Sequence, residues 1–177
     1  MNKNNSVNKL FRLDGKTVVL TGAAGRLGSR FAHILCESGA NVILVDKDAK
    51  KNLKLKLELS KKYNVIIKVF DIDIIAESSV EQMVKKIIKK FKKIDILINN
   101  AHFVPRDHPK RDFPFEKYPL DLWNETINTN LQGLFLCSRE IGRLMVKQNH
   151  GVIINISSIY GITGADQRIY GKSRLNS

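Results

Sequence analysis

Proline is confined to one stretch of this 177-residue chain: all four prolines fall between His102 and Pro119. Everywhere else the backbone is free of the residue that breaks helices and removes ladder donors. Cysteine is as scarce. Cys36 and Cys137 lie in apolar-periodic stretches without CxxC spacing, which excludes a disulfide framework or a thiolate metal site and makes both small core residues. No run of 18 or more apolar residues occurs, and the Asn/Lys-rich start from Met1 to Lys9 has no apolar stretch of the secretory kind. A cytoplasmic protein with no membrane partner is the expectation. Acid is in deficit too, 17 acidic residues against 30 Lys and Arg, for a net charge of +13. Charge of that size attracts nucleic acid. Here, however, the lysines of 50–62 and 85–93 alternate with Leu and Ile at helical spacing, as on the solvated faces of amphipathic helices. No aromatics interleave with them to stack bases, so no nucleic-acid partner is expected.

What is present is a 43% hydrophobic chain long enough for one core. Thr17–Leu20 is a short apolar run ending in a glycine-rich turn. Arg26–Glu37 follows with Leu27, Phe31, Ile34 and Leu35 at helical spacing. Further strands are predicted at 41–45, 65–70, 95–98 and 151–156, and helices at 49–63, 78–91 and 123–148. Strands apolar on both faces and separated by helices specify a parallel sheet covered on each side. The fold class is therefore α/β, a doubly wound parallel sheet of the Rossmann kind, with a polar tail at 1–12 and one domain over 13–177. The proline-bearing segment has no periodicity and reads as a long surface loop beside a site.

Chemistry concentrates at the strand ends. Thr21-Gly22-Ala23-Ala24-Gly25-Arg26-Leu27-Gly28 lies between the first strand and the first helix, the context in which a glycine-rich turn cradles a diphosphate. Gly22 serves the tight turn, Gly25 the close approach of backbone N–H groups, and Gly28 the packing of helix on strand. Asp46 ends the second strand, where an acid meets the adenosine ribose hydroxyls and repels a 2′-phosphate. This favours NAD as cofactor over NADP, with Lys47 next to it softening the preference.

Together these residues resemble the short-chain dehydrogenase/reductase family from about Leu13 to the end of the chain. The family's Thr-Gly-x-x-x-Gly-x-Gly turn is matched with Arg26 in the place of its middle glycine. Asp73-Ile74 resembles the pair that contacts adenine, with Asp71 as competitor. Asn99-Asn100-Ala101 resembles the family's Asn-Asn-Ala-Gly, with His102 at the glycine place. There Asn100 and Ala101 would border the cofactor, and His102 reads as a plain polar loop residue. Asn130, seven residues after Trp123, resembles the catalytic asparagine that anchors a proton-relay water. Ser158 resembles the serine that hydrogen-bonds the substrate carbonyl or hydroxyl.

The resemblance implies an NAD(P)-dependent oxidoreductase that transfers hydride to or from a small alcohol or ketone and works as a homo-oligomer when full length. The family completes its site with Tyr-x-x-x-Lys, whose lysine lowers the tyrosine pKa. No such motif occurs in this sequence. Tyr160 is followed by Gly161 and Gly164; Tyr170 meets Lys172 at the wrong spacing and Arg174 at the right one, but arginine does not replace lysine there. Residues 164–172 resemble an insertion in a subgroup often linked to surface-polysaccharide gene clusters, in which the tyrosine comes later. The chain is thus expected to be truncated after the fifth strand, with Tyr and Lys beyond Ser177. The alternative is a catalytically inactive dinucleotide-binding module.

Overall fold

The molecule is seen in a computed structural model that describes residues 10–105, 108–110 and 113–164. The tail up to Lys9, and Tyr170, Lys172 and Arg174, lie outside the described residues. Thr17–Thr21 forms β1, buried along its whole length. Four more strands follow: β2 (Asn41–Asp46), β3 (Ile67–Asp71), β4 (Ile96–Asn99) and β5 (Val152–Asn155). All pair in parallel in the order β3-β2-β1-β4-β5. Because β1 is central and the chain reverses winding direction between β3 and β4, a crevice opens where the carboxyl ends of β1, β2 and β4 diverge.

Alternation along each strand divides the core in two. Val18, Leu20, Val42 and Leu44 face the helices α1 (Arg26–Glu37) and α2 (Ala49–Lys62), while Val19, Ile43, Val45 and Leu97 face α3 (Glu77–Phe91) and the long helical stretch after residue 120. Each such side chain, fully buried, contributes about 1.5–3 kcal/mol.

Two sequence readings are corrected. The apolar face of α1 is rotated from the one read in sequence: Leu35 is buried and Phe31 packs against the core, but Leu27 and Ile34 are 56% and 59% exposed, and the buried set is Gly28, Ala32, Leu35 and Cys36. Both sets have helical spacing, and close approach decides between them. A Cβ on Gly28 would stand 2.0 Å from the Gly22 carbonyl oxygen, so the helix rests on the sheet through its smallest residues. The helix expected over 123–148 is in fact three pieces: α4 (Leu120–Ile127), a π-helical stretch (Asn128–Gly133) and α5 (Leu134–Gln148). The wider turn allows two packing demands to be met at once. Gly133 lies against Ile74, where an added Cβ would come 2.6 Å from Cδ1, and Asn130 reaches back to the loop after β4.

At the amino end of the sheet Asp95, 2% exposed, accepts the Thr17 N–H at 2.8 Å. Lys16, Lys93 and His150 each bring a nitrogen to 3.3 Å from its carboxylate. Burial pushes the Asp95 carboxyl up, but the Thr17 amide and the two lysines outweigh it and hold its pKa below the ordinary value.

Candidate functional site

A cavity of about 480 Å³ occupies the crevice at the carboxyl ends of β1, β2 and β4. Its floor is the turn between β1 and α1. Gly22 has φ +63°, a conformation open to glycine, and a Cβ there would stand 2.7 Å from the Ala101 Cα. Glycine is thus required both for the turn and for the contact with the strand next door. Helix α1 starts at Gly25 with no side-chain cap and no acid in its first turn. Ser29 donates to the Gly25 carbonyl at 3.0 Å, leaving the amides of Arg26, Leu27 and Gly28 without acceptors inside the helix. Those donors and the positive end of the helix suit an anion of diphosphate size.

Asp46 forms one wall. Its Oδ2 accepts the Ala24 N–H at 2.9 Å and its Oδ1 the Asp48 N–H at 3.0 Å. The carboxylate is therefore fixed between the glycine turn and the turn after β2, with its remaining lone pairs toward the cavity it lines. Beside it, Lys51 pairs with Asp48 at 2.8 Å. Hydrogen bonds from the Lys51 side chain and then its backbone hold the Asp48 carboxyl below its ordinary pKa, and the same pairing raises that of Lys51.

Asn100 and Ala101 form the opposite wall through one hydroxyl. Thr21 Oγ1 accepts the N–H of both residues at 3.0 Å, and the Asn100 amide donates to the carbonyls of Thr21 and Gly22. One residue back, at the end of β4, Asn99 donates to Ser138 Oγ and Asn155 Oδ1, each at 2.9 Å, tying β4 to α5 and β5.

Of the cofactor residues read from sequence, Gly22, Gly25, Arg26, Leu27, Asp46, Asp73, Ile74, Asn100 and Ala101 all line this cavity. Gly28 sits behind it as a packing residue. Asp71, the competitor of Asp73, instead accepts the buried Asn52 amide at 2.9 Å. The two residues read as catalytic stand outside the cavity wall. Asn130 clamps the Phe103 backbone at both ends: its Oδ1 accepts the Phe103 N–H at 2.7 Å and its Nδ2 donates to the Phe103 carbonyl at 3.0 Å. Ser158, exposed beyond β5, uses its hydroxyl to accept the Tyr160 N–H at 3.2 Å. Sequence reasoning gave no cavity place to Lys51, Val104 or Thr129, and it read His102 as a bland loop residue, yet His102 lines the cavity. Only the position of His102, one residue past the strand-end Asn-Asn-Ala, pointed there.

A model of the family described as short chain dehydrogenase matches residues 16–174. The chain belongs to the short-chain dehydrogenase family. Among curated members, a 3-oxoacyl-(acyl-carrier-protein) reductase, FabG, of Thermotoga maritima is 30% identical over 153 residues, which are 86% of this chain and 59% of the relative. An NAD-dependent glycerol dehydrogenase of Listeria innocua is 31% identical over 162 residues, 91% of this chain and 59% of the relative. Among solved structures, NAD+-bound xylitol dehydrogenase superposes with a TM-score of 0.79 at 30% identity, covering 91% of this chain and 60% of that one. The chain thus spans about three fifths of the length of these short-chain dehydrogenases. The five-stranded Rossmann sheet described above is the part they share. Among the described residues no helix is long and apolar enough to cross a membrane.

Proposed function

We propose that this chain provides the dinucleotide-binding portion of an NAD(P)-dependent short-chain oxidoreductase acting on a small alcohol or carbonyl compound. The observation that carries the reading is the fixed Asp46 carboxylate facing a cavity floored by the uncapped start of α1. The first suits a pair of vicinal ribose hydroxyls and the second a diphosphate, so a dinucleotide satisfies both. When bound, the nicotinamide supplies the hydride acceptor or donor. The residues of the chain bind and orient it: the amides of Arg26, Leu27 and Gly28 hold the diphosphate, Asp46 the adenosine ribose, and Asp73 and Ile74 border the adenine.

Asn130 and Ser158 are assigned the catalytic roles implied by the family, Asn130 as anchor of a proton-relay water and Ser158 as hydrogen-bond donor to the substrate oxygen. The Asn130 amide is held in place by its two hydrogen bonds to Phe103, and its backbone carbonyl lies in a π-helical stretch, where the regular acceptor pattern is broken and a water can be taken up. Since the sequence holds no Tyr-x-x-x-Lys, the 177-residue chain by itself is expected to bind without turning over.

Asp46→Asn is the test of the binding mode. Replacing a charged acceptor of two hydroxyls is expected to weaken NADH binding about ten-fold in a calorimetric titration and to lessen the preference for NADH over NADPH. An unaltered affinity would remove Asp46 from the site. The competing reading is a dinucleotide-binding module with no catalytic use. Steady NAD-dependent turnover of any small alcohol by the chain alone would reject that module and also the expectation of inactivity.

A further inference from the structure

Lys47 follows Asp46 directly and lines the same cavity, so an ammonium group is available at the point where a 2′-phosphate would sit. A cation there would favour the phosphorylated cofactor and work against Asp46. The side chain is drawn elsewhere. Its Nζ lies over the ring of Phe103, 5.9 Å from the centroid.

Phe103 belongs to the loop after β4, and in the sheet order β1 stands between β2 and β4. The contact therefore spans two strand spacings, about 9–10 Å, and carries the ammonium across the end of β1 away from the Asp46 side. Both ends of the span are fixed. The turn bearing Lys47 is held by the two amides that donate to Asp46, and the Phe103 backbone is clamped by Asn130. The two backbones thus stand at a set distance, and only the Lys47 and Phe103 side chains bridge it.

Resting on the dinucleotide reading given above, we propose that Phe103 is a cofactor-specificity residue: it holds the Lys47 ammonium on its ring face and so leaves the ribose hydroxyls to Asp46 alone. Phe103 touches no cofactor in this role. It acts through Lys47, whose release makes the site more tolerant of a phosphate on the ribose.

The experiment is a set of equilibrium titrations of the whole chain with NADH and NADPH, read by nicotinamide fluorescence or calorimetry. Phe103→Leu, which keeps an apolar side chain but removes the ring, is expected to tighten NADPH about two- to five-fold with little change for NADH, the scale of an exposed cation–ring contact. Phe103→Tyr keeps the ring and should keep the original ratio. Lys47→Met added to Phe103→Leu should cancel the gain, since the released cation is its cause. An unshifted ratio in Phe103→Leu, or a shift that survives Lys47→Met, overturns the proposal while leaving the dinucleotide reading intact. Failure of the unaltered chain to bind either nucleotide overturns both.

Discussion

At the scale of the residue, backbone conformation decides more than side-chain chemistry. Lys92 ends α3 with φ +67°, in the left-handed region that an L side chain enters at a cost of about 1–2 kcal/mol. Its N–H caps the helix by donating to the Ile88 carbonyl at 3.0 Å. Lys92→Gly keeps that cap and relieves the conformation, at some cost in chain entropy. A net gain of about 0.5–1 kcal/mol is expected, seen as a higher urea midpoint with an unchanged slope. Loss of stability would show that the lysine side chain has a partner worth more than the conformation. Gly22 poses the opposite case: the same region of φ, but with the Ala101 backbone so close that no side chain is admissible.

At the scale of the element, Asp95 joins the starts of β1, β4 and β5 through the Thr17 amide, the ammonium groups of Lys16 and Lys93, and the nearby His150 ring. Its pKa lies below the ordinary 3.8. A depressed carboxylate contributes stability in full above its unfolded value and loses it as pH falls through the folded one, so the loss belongs to the range below about pH 4. Asp95→Asn is expected to cost about 1.5–3 kcal/mol at neutral pH and to flatten the acid limb of the stability curve. Parallel acid titrations followed by circular dichroism would show it; curves that stay parallel down to pH 2 would remove Asp95 from the acid response.

The elements also show what could be read in advance. The strands were legible because β1 and β2 are apolar on both faces, a pattern with no solvent-facing alternative. The glycine turn and Asp46 were legible because their spacing is local. The buried face of α1 was legible only in part: Leu35 and Phe31 meet the core, but the exposed Leu27 and Ile34 share their helical spacing, and only the approach of Gly28 to the Gly22 carbonyl fixes the rotation. The π-helical stretch was invisible because its cause is tertiary: Gly133 against Ile74 and Asn130 against Phe103, partners 59 and 27 residues away. The lysine–ring contact was hidden for the same reason.

At the scale of the whole molecule, the sheet is unevenly covered. β3 has its helix, but β5 pairs only with β4 among the described residues, and Val152, Ile153, Ile154 and Ile156 are 38–50% exposed. An apolar edge strand of this kind templates pairing with another chain. Ile154→Lys, which places a charge at the middle of that edge, is expected to lower the aggregation rate of the 177-residue chain several-fold in light scattering, with nucleotide binding unchanged. Faster aggregation would show that Ile154 supports the fold more than it exposes it.

The Thr21 hydroxyl, which receives the amides of Asn100 and Ala101, also has a bearing on the order of events during synthesis. It joins positions about 80 residues apart, so the cavity has a far wall only once β4 has been made and docked on β1. A ribosome-bound chain ending at Ile94 would hold the glycine turn and Asp46 and still have no enclosed pocket. Nucleotide capture by nascent chains of increasing length should therefore begin abruptly, at the length that lets β4 clear the exit tunnel.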